Sequence, residues 1–510
     1  MVESIHSFPR ASSSTDNSPT YQRRKPEQTV LYKIVQQNLA SFLALVEAET
    51  GRALPEFVIK EFRNYLKCGI LAHGFLRNVC ESCKHENLVA FSCKQRGFCP
   101  SCGVRRMAET AADLVDNILP DRPYRQWVIT FPVQLRPLLA IRPKIMARLL
   151  SITHSCIANY YRIKSGLTKP EAKIGAVTFI QNFGGQINLN VHFHQLFIDG
   201  CCKLNKDLNN EDTPLEFYQT PAPTKDELNK GLAKIIERIV RYLERQEILI
   251  KDDEDQQIHL TTEEQNDPYL QIQAKSSVYR FATGPNKGKK ALVLGSDRDE
   301  DHRSKAGAAA SIAGFSLHAA VAIKHGQRDK LEKLCRYISR PAVAESRLFL
   351  NTRGEVIYKL KTPYSDGTTH VVMSQMELME KLAAIVPRPR VHLTRYHGIL
   401  APHSKHRKSI IRRQRPVKEK SPDHGTAEAK SNRIGWAKLL KRVYKFDVEI
   451  CSKCQGRMRI VANIEDPKII KKILSCIGLD SEPPEPFPAR GPPDDFSWEY
   501  NQDENQTHFH

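Results

Sequence analysis

The sequence predicts an α+β protein, with a central antiparallel sheet flanked by helices and an N-terminal zinc-binding module. Three observations predict it. Two alternating apolar runs, "GAVTFI" (175–180) and "INLNVHFHQLFI" (187–198), flank a Gly184-Gly185 turn and read as a β-hairpin. Stretches such as "LYKIVQQNLASFLALVEAE" and "RPLLAIRPKIMARLLSITHSCIANYYRIK" carry apolar residues at helical spacing. Between these helices stand two CxxC pairs, "CESC" and "CPSC".

Taken in order, residues 1–28 are rich in Ser, Pro and charge and are expected to be disordered. Residues 29–115 form a helical lead-in and the zinc-binding module. Residues 120–400 form the sheet domain, in which "QWVITFP" reads as a strand before the hairpin. Residues 203–275 read as an elaboration on that domain. Within it, Thr224 and Glu227 make a capping box before an amphipathic helix. Asp329 and Glu332 read as another capping box, and Arg340-Pro341 ends the helix that carries "KLEKLCRYIS". Residues 401–435 are a basic linker, 436–480 a C-terminal region with a candidate zinc knuckle, and 481–510 an acidic, proline-rich tail expected to be disordered.

Charge narrows the partners. With 77 Lys+Arg against 57 Asp+Glu, the net charge is +20 and the pI near 9.3, which suits a polyanionic partner such as nucleic acid or an anionic membrane surface. No apolar run approaches a membrane span and the N-terminus lacks an apolar signal core, so a cytoplasmic protein without a membrane partner is expected. In a reducing compartment the 13 cysteines favour metal ligation over disulfides. The absence of H-E-x-x-H and of G-x-x-x-x-G-K-[ST] argues against a metalloprotease and a P-loop motor.

Within the hairpin, "NLNVHFHQLFIDG" puts His192 and His194 on one face of a strand, with Leu189, Val191 and Phe193 on the other. A single strand histidine is usually a hydrogen-bonded core residue; two at this spacing present imidazoles to one point, as a metal requires. Cys80, Cys83, Cys99 and Cys102 have the C-x₂-C-x₁₅-C-x₂-C spacing of a four-thiolate zinc site, with Cys93, Cys68 and His73 close enough to be alternates or to help a second site. Cys451 and Cys454 make half of a second site, which Cys476 could join. The basic run from His403 includes Lys405, Arg407, Lys408, Arg412 and Arg413. It follows Arg395, Tyr396 and His397, groups able to stack on bases and grip phosphates.

These residues converge. The order "CGILAHGFLRNVC", "FSCKQRGFCPSCGVRRMAE", "GAVTFIQNFGGQINLNVHFHQLFIDG", "GFSLHA", "LCRYISRP", "HLTRYHGILAPHSKHR" and "CSKCQGRMRIVANI" resembles the HUH transposases of the insertion-sequence ninety-one family, including the common-region elements. The resemblance runs from about residue 30 to 480. It implies an HUH-type sheet in which His192 and His194 hold Mg²⁺ or Mn²⁺ against the scissile phosphate of single-stranded DNA at element termini. It also implies that Tyr337 is the nucleophile, forming a 5′-phosphotyrosine in rolling-circle transposition, with Arg336 and Arg340 neutralising developing charge. Two-tyrosine members carry a second tyrosine one turn earlier, where this chain has Lys333, so a single-tyrosine cycle is expected. His318 is the candidate third metal ligand, ahead of Gln195. Host helicase and replication proteins are the expected partners and the nucleoid the expected location. The competing functions are a plasmid replication initiator or relaxase, and a non-catalytic zinc-dependent DNA-binding protein.

Overall fold

The structure is a computed structural model and describes residues 24–203, 215–251, 256–295, 309–364, 366–411, 442 and 449–490. Most of the N-terminal stretch and of the acidic tail, most of the basic linker, and both Arg412 and Arg413 lie outside the described residues. Two compact units are present. One takes Lys25–Ile70, Ser92–Ala427 and Pro483–His510, and the other Met1–Arg24, Leu71–Phe91 and Glu428–Glu482.

The larger unit is built on a seven-stranded sheet. Its order is β12 (Ala309–Ile312), β13 (Phe315–His318), β3 (Tyr124–Thr130), β6 (Leu189–Ile198), β5 (Gly175–Phe183) and β18 (Thr394–Gly398), with β14 (Ala322–Ile323) also on β3. Every pairing is antiparallel. The hairpin β5–β6 closes where Gly184 N–H donates to Asn188 O at 2.8 Å. Strand β6 is buried on both faces because helices cover each side.

On one side lie α4 (Leu135–Ile141), α5 (Pro143–Lys164) and α6 (Lys225–Arg245). Helix α6 starts at the Thr224–Glu227 capping box and buries Leu228, Leu232, Ile235, Ile239 and Leu243. That stripe packs with Ile129, Phe131, Val191, Phe193 and Phe197 of the sheet. The helix expected as an elaboration is thus part of the main core, since a continuous apolar stripe needs an apolar partner along its whole length.

On the other side, α3 (Pro100–Asp113) and α9 (Arg328–Ile338) pack over Tyr124, Val177, Phe179 and Leu196 through Leu331, Cys335 and Ile338. The expected Asp329–Glu332 capping box is absent. Helix α9 starts two residues earlier, with Gln327 at its N-cap making no side-chain cap bond, and Glu332 pairs instead with Arg336.

Around this core lie α1 (Val30–Thr50), α2 (Glu56–Lys67), α7 (Thr262–Gln265), α8 (Pro268–Ser277), α10 (Gln375–Ala384) and α11 (Arg407–Ile410). A four-stranded sheet runs β11 (Leu292–Gly295), β17 (Thr368–Met373), β16 (Val356–Lys359), β15 (Leu348–Leu350). Strands β4 (Ala172–Lys173), β7 (Gly200–Lys203) and β8 (Glu216–Gln219) form a third sheet, and β9 (Leu249–Lys251) pairs with β10 (Gln256–Ile258). The smaller unit is a three-stranded sheet, β19 (Met458–Ile464), β1 (Phe75–Cys80), β2 (Glu86–Ala90), with α12 (Pro467–Cys476) packing Ile470 and Leu474 on Leu71 and Phe75. Among the described residues no helix is long and apolar enough to cross a membrane.

A buried ion pair ties the sheet to α5. Arg125 donates from Nε and Nη2 to both carboxylate oxygens of Asp199, at 2.9 and 2.8 Å, and from Nη1 to Ala319 O at 3.0 Å. Tyr161 on α5 donates to the same carboxylate at 3.0 Å and receives Trp127 Nε1–H at 2.9 Å. Removing one partner of such a network strands the other charge in the core. Asp199→Ala is therefore expected to lose about 3–5 kcal/mol of stability, and Tyr161→Phe about 1 kcal/mol, in denaturant titrations. Equal losses for the two variants would contradict this account.

Candidate active site and metal centres

Two cysteine quartets stand out. Among the described residues, the only groups of three or more His, Cys, Asp or Glu ligand atoms close enough to share a metal ion are Cys68, Cys93, Cys99, Cys102 and Cys80, Cys83, Cys451, Cys454. In the first, sulfur separations are 3.7 Å (Cys68–Cys102), 3.5 Å (Cys93–Cys102) and 3.7 Å (Cys99–Cys68). In the second they are 3.4 Å (Cys80–Cys454) and 3.6 Å (Cys83–Cys451). A tetrahedral zinc ion with Zn–S bonds of about 2.3 Å spaces its sulfurs about 3.8 Å apart, so both quartets fit the ion. All thirteen cysteines are free thiols. Backbone N–H of Cys83, working against burial, brings the Cys80 thiol down to about 6, so it offers a thiolate at neutral pH.

This pairing corrects the expected single site of Cys80, Cys83, Cys99 and Cys102. The hairpin β1–β2 belongs to the smaller unit, and there Cys80 and Cys83 meet the pair from the far end of the chain. Their places beside Cys99 and Cys102 are taken by Cys68, just after α2, and Cys93. The knuckles have a local signature: Lys84, Lys94 and Gln455, each directly after a ligand, sit at φ of 59°, 54° and 61°. Gly456 is pressed so close that a Cβ there would lie 2.6 Å from Ser82 Oγ. His73 and Cys476 join neither quartet.

The second candidate centre lies on the α9 side of the main sheet. Register places His194 opposite Val128 and Phe179, and His192 opposite Thr130 and Gln181. The two imidazoles are buried with ring centroids 4.9 Å apart. Burial lowers the pKa of His192 to about 4 and holds that of His194 well below its usual value, with the charge of Arg340 adding to both shifts. Both rings are therefore neutral at pH 7. His192 Nδ1–H donates to Asn190 O at 2.7 Å, which leaves the Nε2 lone pair for a ligand. Gln126 Nε2 stands 2.6 Å from His194 Nδ1; only with the amide turned over, its oxygen toward the ring, does it accept from Nδ1–H and leave His194 Nε2 for a ligand. His318 lies on the same face but two strands away, beyond Val128, and is exposed. Gln195 points to the opposite face and donates to Thr153 Oγ1 on α5 at 3.0 Å.

Tyr337 is at the C-terminal end of α9 and 45% exposed. Its ring lies under two cations, Lys361 Nζ at 4.2 Å and Arg340 Cζ at 5.2 Å from the centroid. Gln181, the partner of His192 across β5, donates to Ile338 O and fastens this helix end to the sheet. A cavity of about 110 Å³ beside it is lined by Arg96, Arg106, Gln181 and Arg340. Arg96 and Arg106 belong to the basic residues interleaved with the cysteine cluster in the sequence, whereas Lys361 carried no sequence signal that distinguishes it from other basic residues. Arg336 is held by Glu332 on its own helix.

The "RYH" stretch is split by strand alternation. Tyr396 turns toward the α9 side, where Arg407 covers it at 5.7 Å, while His397 stacks on His154 of α5 at 4.2 Å and Arg395 shares that opposite side. Arg407 also caps Leu400 O at 3.0 Å, and Lys405 and Lys408 are exposed.

Two zinc ions per chain are expected by elemental analysis, one per quartet. Cys451→Ser is expected to release the ion of the second quartet and leave the other, whereas Cys68→Ser releases the ion of the first quartet. A single zinc ion in the intact protein, untouched by Cys451→Ser, would contradict the second quartet.

Two comparisons with protein families complete the picture. Residues 34–131 match the transposase zinc-binding domain of the IS91 type, which contains the first quartet and the Cys80–Cys83 half of the second. Residues 175–408 match the family described as "Putative transposase", which contains β5, β6 and α9. No curated protein and no solved structure matches the chain. With its cysteine module and its histidine-bearing sheet domain both matched, the chain belongs to the IS91-family transposases.

Proposed function

We propose that this transposase nicks and rejoins single-stranded DNA at element ends by a metal-assisted tyrosine reaction, within a rolling-circle cycle. Support comes above all from Arg340: its guanidinium lies over the Tyr337 ring and its charge also reaches His192 and His194. The phenol, the paired imidazoles and a cation thus share one neighbourhood.

In this reading Tyr337 Oη attacks the scissile phosphorus. An Oη–P bond forms, the P–O3′ bond breaks, the phenol proton passes to solvent, and the departing 3′ oxygen takes up a proton. The product is a 5′-phosphotyrosine and a free 3′-OH, and the reverse attack by a 3′-OH rejoins DNA without an external energy source. Mg²⁺ or Mn²⁺ between His192 and His194 would polarise the phosphate as a Lewis acid. Lys361 and Arg340 are placed to offset the charge that builds on the phosphate oxygens. Lys333, one turn before Tyr337, offers no second phenol, and Tyr396 is packed under Arg407, so a single tyrosine is released and reused. Lys405, Arg407, Lys408, Arg412 and Arg413 would grip the DNA backbone as point charges. Nucleoid association and recruitment of a host helicase follow from this substrate, since no internal motor motif is present.

The test is formation of a covalent protein–DNA adduct on single-stranded oligonucleotides from the element's ends with Mn²⁺. Tyr337→Phe is expected to abolish it, and His192→Ala to lower it at least 100-fold. Because burial holds both histidines below their usual pKa, the ligands stay neutral as pH falls from 7 to 5, and adduct formation should decline only toward pH 4. No adduct on an oligonucleotide that the protein binds would favour a DNA-binding protein without catalysis.

A further inference from the structure

A cavity of about 490 Å³ opens on the α5–α6 side of the main sheet, the face opposite His192 and His194. Its size falls in the range of about 300–1,000 Å³ typical of ligand sites. Four cations line it, Arg162, Lys169, Lys234 and Arg238, and no carboxylate does.

The contrast with their neighbours is informative. On the same two helices Lys164 pairs with Glu227, and Arg241 with Glu237 at 2.6 Å. Inside the cavity the guanidinium groups are aimed by neutral acceptors only. Arg238 Nη1 donates to Ser155 Oγ at 3.1 Å and to Cys156 Sγ at 3.3 Å, and Arg162 Nη2 to Asn159 Oδ1 at 2.9 Å. These bonds set direction and leave the charge uncompensated. The side chains of Lys169 and Lys234 make no hydrogen bond or ion pair among the described residues. His154 adds a hydrogen-bonding atom: it is stacked between Phe197 and His397, its Nδ1 is buried without a partner among the described residues, and burial keeps the ring neutral. Four like charges around one space repel each other unless an anion fills it.

We infer that this cavity is a second DNA site, which takes the phosphodiester backbone of a strand other than the one held at the histidines. The inference rests on the strand-transfer reading above, because joining requires two DNA segments on one protein. Arg395 and His397, on the same side of edge strand β18, extend the polar rim beyond the cavity.

The test uses the full chain carrying Lys169→Gln and Lys234→Gln, two side chains whose loss breaks no hydrogen bond or ion pair among the described residues. Binding is read first in the Tyr337→Phe background without added Mg²⁺ or Mn²⁺, by anisotropy of a labelled single-stranded oligonucleotide titrated onto protein whose first-strand site is already saturated with an unlabelled element-end oligonucleotide. The double variant is expected to bind about 10-fold more weakly, with a salt slope shallower by about 1.4 for two lost phosphate contacts. Unchanged affinity and slope would overturn the inference. So would a cavity that takes inorganic phosphate alone, seen as phosphate-dependent thermal stabilisation lost in the double variant while oligonucleotide binding is unaffected. With Tyr337 restored, adduct formation on the first oligonucleotide should stay within about twofold while transfer to a second oligonucleotide falls at least 10-fold. Parallel loss of both would place the cavity on the path of the first strand and overturn the second-strand assignment. Absence of any adduct in the parent protein sinks the nicking reading, while the binding measurement still reports on the cavity.

Discussion

The two-residue period of one central strand is the constraint on which the main unit depends. Strand β6 is sandwiched, so its alternate residues must satisfy two different environments. Leu189, Val191, Phe193 and Phe197 fill the core against α4, α5 and α6. The intervening His192 and His194 face the other way, under the end of α9. A slip of one residue would bury imidazoles in the apolar core and expose phenylalanines at the site, so register and chemistry are specified together. The buried Arg125–Asp199 pair adds a second constraint at the far end of β3, where only one alignment lets both guanidinium nitrogens meet both carboxylate oxygens.

Zinc chemistry constrains the rest of the chain in a different way. The second quartet clamps the two distant segments that the β1–β19 pairing also joins: Cys83 and Cys451 are 368 residues apart in sequence, and their sulfurs stand 3.6 Å apart. The smaller unit has a core of only a few apolar residues, Leu71, Phe75, Ile470 and Leu474. A core that small seldom holds two distant segments together, and a structural metal supplies what burial does not.

What was legible in the sequence follows from which signals are local. The β5–β6 hairpin, the shared face of His192 and His194, the Thr224 cap and the end of α9 before Pro341 are all set by residues within a few positions of one another. Partnership at long range was not legible. Spacing alone favoured Cys80–Cys83 with Cys99–Cys102, because nothing local marks the β1–β2 hairpin as part of another unit. The role of α6 in the core was hidden for the same reason. Lys361, which stands over Tyr337, reaches it from a segment between two strands, and its position depends on tertiary packing. "RYH" looked like a single patch, yet alternation sends Tyr396 to one side of the sheet and Arg395 and His397 to the other.

The central claim is that one phenol, beside the paired imidazoles and under two cations, carries the DNA. It is tested most directly by digesting the protein–oligonucleotide adduct and locating the attached nucleotide by mass spectrometry. The account predicts a nucleotide on the peptide that contains Tyr337 and on no other. A nucleotide on the peptide that contains Tyr396, or on both, would contradict it.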